Sequence, residues 1–365
     1  MAASILNAAG MRTGLMPKPH LSSYRERIQV DLQPISEPDF ARAVAAVKPH
    51  LQQVSHELGE PTEFEMLTAI AVAYLAPRVD RLVCEVGLGG RLDATNVLDL
   101  GVAAITNVGL DHMAQLGATT DLIAAEKAAI VKPGNLVVTG CTGKPLEVVE
   151  RAAAANGATL WRLGQEIKCD GRWRGWEGSE IDVAGPGFEH RGLRVPLLGS
   201  FQAANAALAV ALAHAMGVTE GSAVRQGLAS ASWPGRLELV AAAPRVLLDG
   251  AHNPAGLERV TADVRRLIGR ERLVVVFGVM ADKDYPRMLE VLRAAAPEAV
   301  VFTAAADERA LAAQRLAELW PGSTTVMPAP AALERGRELA GPKGNVLVCG
   351  SLYIVGELRS VLRVR

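Results

Sequence analysis

Residues 81–97, RLVCEVGLGGRLDATNV, form an apolar segment that carries one carboxylate, Glu85, directly before a glycine-rich loop. A short apolar run bounded by turn residues predicts a buried β-strand. Glu85 has two interpretations: it caps the loop that follows, or it binds a metal ion. A carboxylate in such a segment is costly to bury without a partner. Other residues of the sequence are therefore needed to distinguish a loop cap from a metal ligand.

Apolar strands alternate with helices around this segment, which predicts an α/β fold with a parallel sheet covered on both faces. The expected strands are 81–87, 101–109 and 135–140, and the expected helices are 3–9, 37–58, 61–76 and 119–134. Residues 165–198 contain short, polar, glycine-rich pieces and predict a small antiparallel hairpin. The small-residue segment SFQAANAALAVALAHAMG, which follows, predicts another helix.

A second α/β region begins after the Pro-Gly pair at 234–235, which we interpret as a linker. The helix AGLERVTADVRRLIG lies among four expected strands with their loops, RVLLDGAHNP, RLVVVFGVMADKD, EAVVFTA and NVLVCGSLYIVG. A length of 365 residues suits two domains, and we expect them at 1–233 and 236–365.

Composition excludes several classes of partner. The formal net charge of −1 gives no long-range attraction to nucleic acid or to an anionic membrane. The four cysteines are scattered without CxxC spacing, which argues against a zinc site or a disulfide framework. With no signal-peptide pattern and no apolar run near the ~18 residues of a membrane span, we expect a cytoplasmic protein that binds neither membrane nor nucleic acid.

Ligands of open parallel sheets bind outside the carboxyl ends of the strands. Glu85 and His112, in GLDHMAQLG, both follow predicted strands and could share one Mg²⁺ ion. The alternative for His112 is a loop histidine that caps the backbone. Lys127 lies among small apolar residues on a predicted helix, where its simplest role is to extend towards solvent.

The second region repeats this arrangement. Asp249 and His252 lie in LLDGAHNP at the end of a predicted strand, and Arg236 lies at the linker. An arginine there suits a phosphate group or nucleotide, whereas Asp249 could simply form the turn. The segment CTGKPLE lacks the glycine pattern and the Ser/Thr of a phosphate loop, and no GxxxxGK[ST] motif occurs in the sequence.

Seven segments in order carry a family resemblance: EVGLGGRLDATNV, ITNVGLDHMAQLG, EKAAIVKPG, PGRLELV, LLDGAHNPAG, VFGVMADKDYPRML and LVCGSLYIVGELR. Together they resemble bacterial dihydrofolate synthase/folylpolyglutamate synthase of the Mur ligase superfamily. The resemblance implies a parallel-sheet ATP-binding domain followed by a smaller Rossmann-like domain. It implies a monomeric, ATP-dependent amide ligase that adds L-glutamate to dihydropteroate, or to reduced folates, through an acyl phosphate.

The resemblance also implies roles for individual residues. They comprise Mg²⁺ ligands, a carbamylated lysine, nucleotide contacts, and groups near the incoming glutamate or the reacting atoms. The Mg²⁺ ligands are Glu85 and His112, and the carbamylated lysine is Lys127. The nucleotide contacts are Asn205, Arg236 and Asp249. The groups near the incoming glutamate or the reacting atoms are His252, Arg27, His20, Ser351 and Tyr353.

Three features depart from the family pattern. The phosphate loop of the family would precede MAASILNAAG, so we expect the chain to begin inside the helix after that loop. A Thr-Ser-Pro-His-Leu loop of the family corresponds to Pro17-Lys18-Pro19-His20-Leu21 here, and Lys18 replaces a serine that helps to bind metal in relatives. Phe201 stands where the family often has histidine.

Two other functions compete with this interpretation. A Mur-type ligase could join another amino acid to another acid. Alternatively, a catalytically impaired chain without a phosphate loop could bind folate or nucleotide without turnover. Release of ADP that depends on glutamate separates a ligase from a binding protein.

Overall fold

The computed structural model describes residues 1–362 and separates into two compact units. The first unit comprises Met1–Trp173, Ser179–Pro196 and Phe201–Ala231. The second comprises Arg174–Gly178, Leu197–Ser200 and the chain from Ser232 onward, so two short segments that we assigned to the first domain belong to it.

The first unit contains eight α-helices and ten strands within the described residues. The helices are α1 (Ala2–Ala8), α2 (Glu37–Leu58), α3 (Glu63–Leu75), α4 (Met113–Leu116), α5 (Thr120–Ala128), α6 (Gly143–Ala155), α7 (Gln202–Ala215) and α8 (Gly221–Ala229). The strands are β1 (Thr13–Met16), β2 (Gln29–Val30), β3 (Gln33–Pro34), β4 (Arg81–Cys84), β5 (Val102–Ile105), β6 (Leu136–Thr139), β7 (Thr159–Arg162), β8 (Lys168–Trp173), β9 (Ser179–Gly185) and β10 (Phe188–Val195).

Three sheets organise the first unit. One has the order β3-β2-β1-β4, in which β1 and β4 run parallel, and a second, fully parallel sheet has the order β5-β6-β7. Helices α2 and α3 cover the first sheet around a core that includes Met16, Ile28, Ile70 and Leu75. The third sheet, β10-β9-β8, is antiparallel.

The second unit is built on one six-stranded sheet with the order β11-β12-β16-β13-β14-β15. Its strands are β11 (Glu238–Ala242), β12 (Arg245–Leu248), β13 (Leu273–Phe277), β14 (Ala299–Phe302), β15 (Thr324–Thr325) and β16 (Asn345–Cys349). Its helices are α9 (Pro254–Ile268), α10 (Tyr285–Ala294), α11 (Ala313–Glu318), α12 (Ala329–Ala340) and α13 (Leu352–Leu362). All pairs except β11–β12 are parallel, and Phe277, Phe302 and Leu347 are fully buried in the core.

The predicted α/β class and most predicted elements are confirmed. Helix α2 has the predicted bounds because Ser36 accepts a hydrogen bond from the Asp39 amide and Gly59, at φ 94°, ends it. The predicted hairpin at 165–198 is a three-stranded sheet. Two elements differ from the prediction: β1 lies between the expected helices 3–9 and 37–58, where no strand was expected, and residues from Leu352 are helical because Gly350, at φ 101°, ends the strand segment.

Two stacked histidines join β10 to α7. The Nε2 atoms of His190 and His214 are 2.8 Å apart, and the His214 ring stacks on Phe188 with centroids 4.3 Å apart. One nitrogen donates and the other accepts, so the accepting ring has to be neutral and the contact is lost when both rings are protonated. Burial lowers the pKa of both histidines, and the charges of Arg225 on His190 and of His190 on His214 lower them further.

We expect this pair to make the protein less stable in mild acid. Since the folded-state pKa values lie below the ordinary value of about 6.5, the unfolded chain binds protons first as the pH falls through that value. The urea midpoint should therefore be lower at pH 5.5 than at pH 7.5. His214→Phe keeps the ring stack and should reduce that difference. An equal pH dependence in His214→Phe would contradict the explanation.

Helices within residues 1–362 include none that is both long enough and apolar enough to cross a membrane.

Candidate active site

Glu85 lies immediately after β4, next to the loop that follows β1. Its amide donates to the Met16 carbonyl at 3.0 Å, which continues the parallel pairing of β1 with β4. Its Oε2 atom accepts a hydrogen bond from the Lys18 amide at 2.7 Å. The side chain is exposed, so a ligand at this end of the sheet can reach it.

Asp93 shapes the glycine-rich loop after Glu85. Its Oδ2 atom accepts hydrogen bonds from the amides of Gly87 at 2.9 Å and Leu88 at 3.0 Å, and its Oδ1 atom accepts the Thr95 amide at 3.0 Å. Burial raises the pKa of this carboxyl, but these hydrogen bonds and Lys18 leave it below its ordinary value. Asp93 is therefore ionised and holds the loop in place through these hydrogen bonds. It was not among the predicted site residues.

The same loop packs on α5, the helix that carries Lys127. A Cβ atom at Gly90 would lie 2.5 Å from the Glu126 carbonyl and 3.1 Å from the Lys127 Cα, so only glycine allows this approach. Arg91 strengthens the contact through its Nε atom, 2.9 Å from Glu126 Oε1. Lys127 itself is half-buried. The Glu85 loop and the Lys127 helix thus meet.

His112 follows β5 and adopts a left-handed conformation with φ 49° as the N-cap of α4. The imidazole is exposed, and its Nε2 atom lies 3.9 Å from the carboxylate of Asp111. Residues 1–362 contain no group of three or more His, Cys, Asp or Glu side chains positioned for a metal ion. Glu85 and His112 follow β4 and β5, which belong to different sheets, and they remain the predicted protein ligands of Mg²⁺, an ion that usually keeps water and phosphate oxygens as its other ligands.

Lys18 is the cation next to Glu85. Its Nζ atom is buried, has no hydrogen-bond partner among the described residues, and lies 3.9 Å from the centroid of the Phe64 ring. Burial lowers the pKa of this ammonium group, whereas the charges of Asp93 and Glu85 oppose the decrease.

His20 and Arg27 contact each other in the same loop region. Arg27 Nε donates to His20 Nδ1 at 2.8 Å, so the proton of the neutral ring is on Nε2. Burial lowers the pKa of His20, and the charge of Arg27 lowers it further. Asn205 lies elsewhere in this unit on α7, where its amide donates to Gln202 Oε1 at 3.2 Å.

Asp249 is the buried carboxylate of the second unit, with 3% of its surface exposed. It accepts the amides of Leu237 at 2.8 Å and Ala251 at 2.7 Å. Burial raises its pKa, although these bonds and Arg236 act in the opposite direction. A Cβ atom at Gly250 would lie 2.9 Å from Arg236 Nη1, so the guanidinium lies against this turn.

His252 is oriented by the same turn. Its Nδ1 atom lies 2.9 Å from the Gly250 carbonyl, and since a carbonyl only accepts, Nδ1 carries the proton. In the neutral form of the ring, Nε2 is therefore the acceptor. Asn253 caps α9 by accepting the Gly256 amide at 2.8 Å, which fixes the segment after His252.

Ser351 and Tyr353 flank the start of α13. Ser351 is buried, its Oγ accepts the Tyr353 amide at 3.2 Å and lies 3.8 Å from Met280 Sδ. The Tyr353 hydroxyl accepts a hydrogen bond from Arg309 Nη2 at 2.7 Å, and Asp307 pairs with the same guanidinium. Arg309 and Asp307 were not among the predicted site residues, although both follow the apolar segment VVFTA.

Comparison with known families matches both parts of the chain. Residues 45–213 match the Mur ligase middle domain, and residues 235–352 match the Mur ligase glutamate ligase domain. The fold and these sites therefore define a ligase of the Mur type.

Individual relatives narrow this class. The chain is 34% identical over 372 residues to the dihydrofolate synthase/folylpolyglutamate synthase of Bacillus subtilis, covering 99% of this chain and 86% of that protein. A probable bifunctional folylpolyglutamate synthase/dihydropteroate synthase of Haloferax volcanii is 38% identical over 379 residues; the match covers 99% of this chain but 44% of that longer protein.

A solved structure agrees with these relatives. The bifunctional folylpolyglutamate synthase/dihydrofolate synthase of Yersinia pestis, complexed with AMPPNP and a Mn ion, superposes with a TM-score of 0.87 at 31% identity, covering 100% of this chain and 85% of that one. The chain belongs to the dihydrofolate synthase/folylpolyglutamate synthase family.

Proposed function

We propose that this protein is an ATP-dependent amide ligase that adds L-glutamate to dihydropteroate, to reduced folates, or to both. The observation that carries the proposal is the Glu85 loop packed on the Lys127 helix in a chain of this family. The Yersinia pestis relative binds the nucleotide analogue AMPPNP and a Mn ion, which supports ATP as the co-substrate and a divalent metal ion as the cofactor of this protein.

The first unit would bind the nucleotide and the metal ion. Glu85 and His112 are the proposed protein ligands, and Asn205 is a proposed adenine contact. A bound divalent ion would neutralise charge on the phosphate oxygens during phosphoryl transfer. Asp93 organises the loop that follows Glu85, and the Lys18 amide donates to the Glu85 carboxylate at the end of β4. Arg27 and His20 present two adjoining polar groups to the reacting carboxylate.

Lys127 has a proposed role that depends on its modification. As an unmodified lysine it places a cation on α5 beside the glycine-rich loop. Carbamylation by CO₂ would convert that cation to an anion able to orient a metal ion or water, as the family resemblance implies. The half-buried position and the close approach of Gly90 support a fixed group at this point.

The second unit would contribute Arg236 and Asp249 to the nucleotide and His252, Ser351 and Tyr353 to glutamate. The Nε2 acceptor of His252 suits the ammonium group of an amino acid. The buried Ser351 hydroxyl, close to Met280, and the Arg309–Tyr353 pair form polar groups at the carboxyl ends of the strands, where a small charged substrate is expected.

The direct test is ADP release with Mg-ATP and L-glutamate. Dihydropteroate and tetrahydrofolate are supplied in separate reactions, and each has a control without glutamate. Release that requires both acceptor and glutamate would support the ligase and identify the acceptor. A folded chain that binds the pterin but releases no ADP under any of these conditions would contradict the proposal and favour a binding protein.

Arg236→Ala is expected to raise the KM for ATP by about 10- to 100-fold, because a charged hydrogen bond to phosphate contributes ~1.5–3 kcal/mol. The half-buried side chain lies against Gly250, so the urea midpoint should change little. Arg335→Ala, on the exposed face of α12, is the matched control and should leave KM unchanged. Identical ATP kinetics in both variants would remove Arg236 from the nucleotide site.

A further inference from the structure

Lys18 enters the Glu85 site from a neighbouring strand. It follows β1 by two residues, and β1 pairs in parallel with β4 so that Met16 lies opposite Cys84. This register places the Lys18 backbone beside Glu85, whose carboxylate accepts the Lys18 amide at 2.7 Å. Lys18 and the proposed metal ligand Glu85 therefore both lie just beyond the carboxyl ends of paired parallel strands.

The side chain of Lys18 is enclosed. Its Nζ atom lies 3.9 Å from the centroid of Phe64, and a Cβ atom at Gly87 would lie 2.7 Å from the far end of the same ring. Phe64 thus contacts both the ammonium group and the glycine-rich loop. The ammonium has no hydrogen-bond partner among residues 1–362, although its nitrogen is buried.

A buried cation of this kind is costly unless nearby charges compensate it. The anionic groups that act on Lys18 are Asp93 and Glu85, together with any Cys84 thiolate, and Arg27 acts against it. Asp93 already accepts the amides of Gly87, Leu88 and Thr95, so its charge is fixed in place. Lys18 and the ring of Phe64 complete a cluster in which one ammonium offsets two carboxylates.

We propose that Lys18 is a resident cation of the phosphoryl-transfer site, which offsets part of the negative charge of Glu85 and Asp93 so that a divalent ion binds only together with nucleotide. This inference rests on the proposed function, because it concerns the metal ion of that reaction. Lys18 would then act as a positioning residue: it would make binding of the divalent ion depend on bound nucleotide.

The physical basis is repulsion at short range. A divalent cation at Glu85 would be repelled by the Lys18 charge, and charges near a protein surface interact several times more strongly than in bulk water. The phosphates of ATP bring enough negative charge to outweigh this repulsion. Without nucleotide, Lys18 already offsets part of the Glu85 charge, so Glu85 attracts a metal ion less strongly.

Mn²⁺ binding to the nucleotide-free protein tests the inference, measured by the electron paramagnetic resonance of the free ion. Lys18→Met keeps the apolar contact with Phe64 and removes the charge, and Lys18→Ser removes both. Both variants should bind Mn²⁺ about tenfold more tightly than wild type, or tighter still. Lys48→Met, on the exposed face of α2, is the control and should match wild type.

Equal Mn²⁺ affinity in wild type and in the folded Lys18 variants would overturn the inference. If neither variant folds, wild type is compared with Glu85→Gln, again without nucleotide. The inference requires the same weak binding in both, and a Mn²⁺ site in wild type that Glu85→Gln abolishes would overturn it. ADP release reports separately on the ligase, so failure of one proposal is distinguishable from failure of the other.

Discussion

Glu85→Gln is expected to lower glutamate-dependent ADP release by about 100-fold or more, the usual effect of losing one key electrostatic group. Glutamine keeps an oxygen that can accept the Lys18 amide, which Glu85 now accepts at 2.7 Å, so the strand-end geometry should survive. What is lost is the negative charge that would hold the divalent ion on the phosphates. The loss should therefore appear mainly in kcat at saturating nucleotide.

Glu147→Gln provides the matched control for this experiment. Glu147 is an exposed residue of α6 in the same unit, and its substitution removes an equal charge at a position that the proposed site does not include. Its ADP release and urea midpoint should both equal those of wild type. Wild-type turnover by a folded Glu85→Gln protein would mean that Glu85 only holds the Lys18 amide, a structural role of the same kind as the simpler of the two original interpretations.

Periodicity and capping were sufficient to predict most of the fold. The 37–58 helix shows this, because its boundaries depend on local groups at Ser36 and Gly59. Strand β1 could not be found in this way, since it has four residues and precedes Pro17 in a segment rich in turn formers. Its pairing with β4, distant in sequence, is what makes it a strand.

Only the polar residues directly after apolar strands could be predicted as members of the candidate site. Strand-end reasoning identified Glu85, His112 and Asp249 because a polar residue after an apolar run stands out in the sequence. The roles of Asp93 and Arg309 come from partners brought together by tertiary structure, and nothing in their local sequence announces those partners. The enclosure of Lys18 by Phe64 is of the same kind.

Asp249→Ala is expected to destabilise the second unit by roughly 2–5 kcal/mol, because it leaves buried amide groups without acceptors. The carboxylate accepts the amides of Leu237 and Ala251. Leu237 has a left-handed backbone with φ 42°, a conformation that non-glycine residues adopt only when their surroundings impose it. Removing Asp249 releases that constraint at the same time.

Asp249→Asn should fall between wild type and alanine. Its single amide oxygen can accept one of the two N–H groups, and its NH₂ group would face the other. Glu334→Ala, exposed on α12, should change stability by no more than about 0.5 kcal/mol. Hydrogen exchange of peptides spanning residues 235–257, with urea unfolding of the whole chain, measures the effect. If Asp249→Ala and Glu334→Ala show the same hydrogen exchange and the same urea midpoint, the Asp249 carboxylate does not stabilise this turn. Its only remaining role would then be the proposed contact with nucleotide.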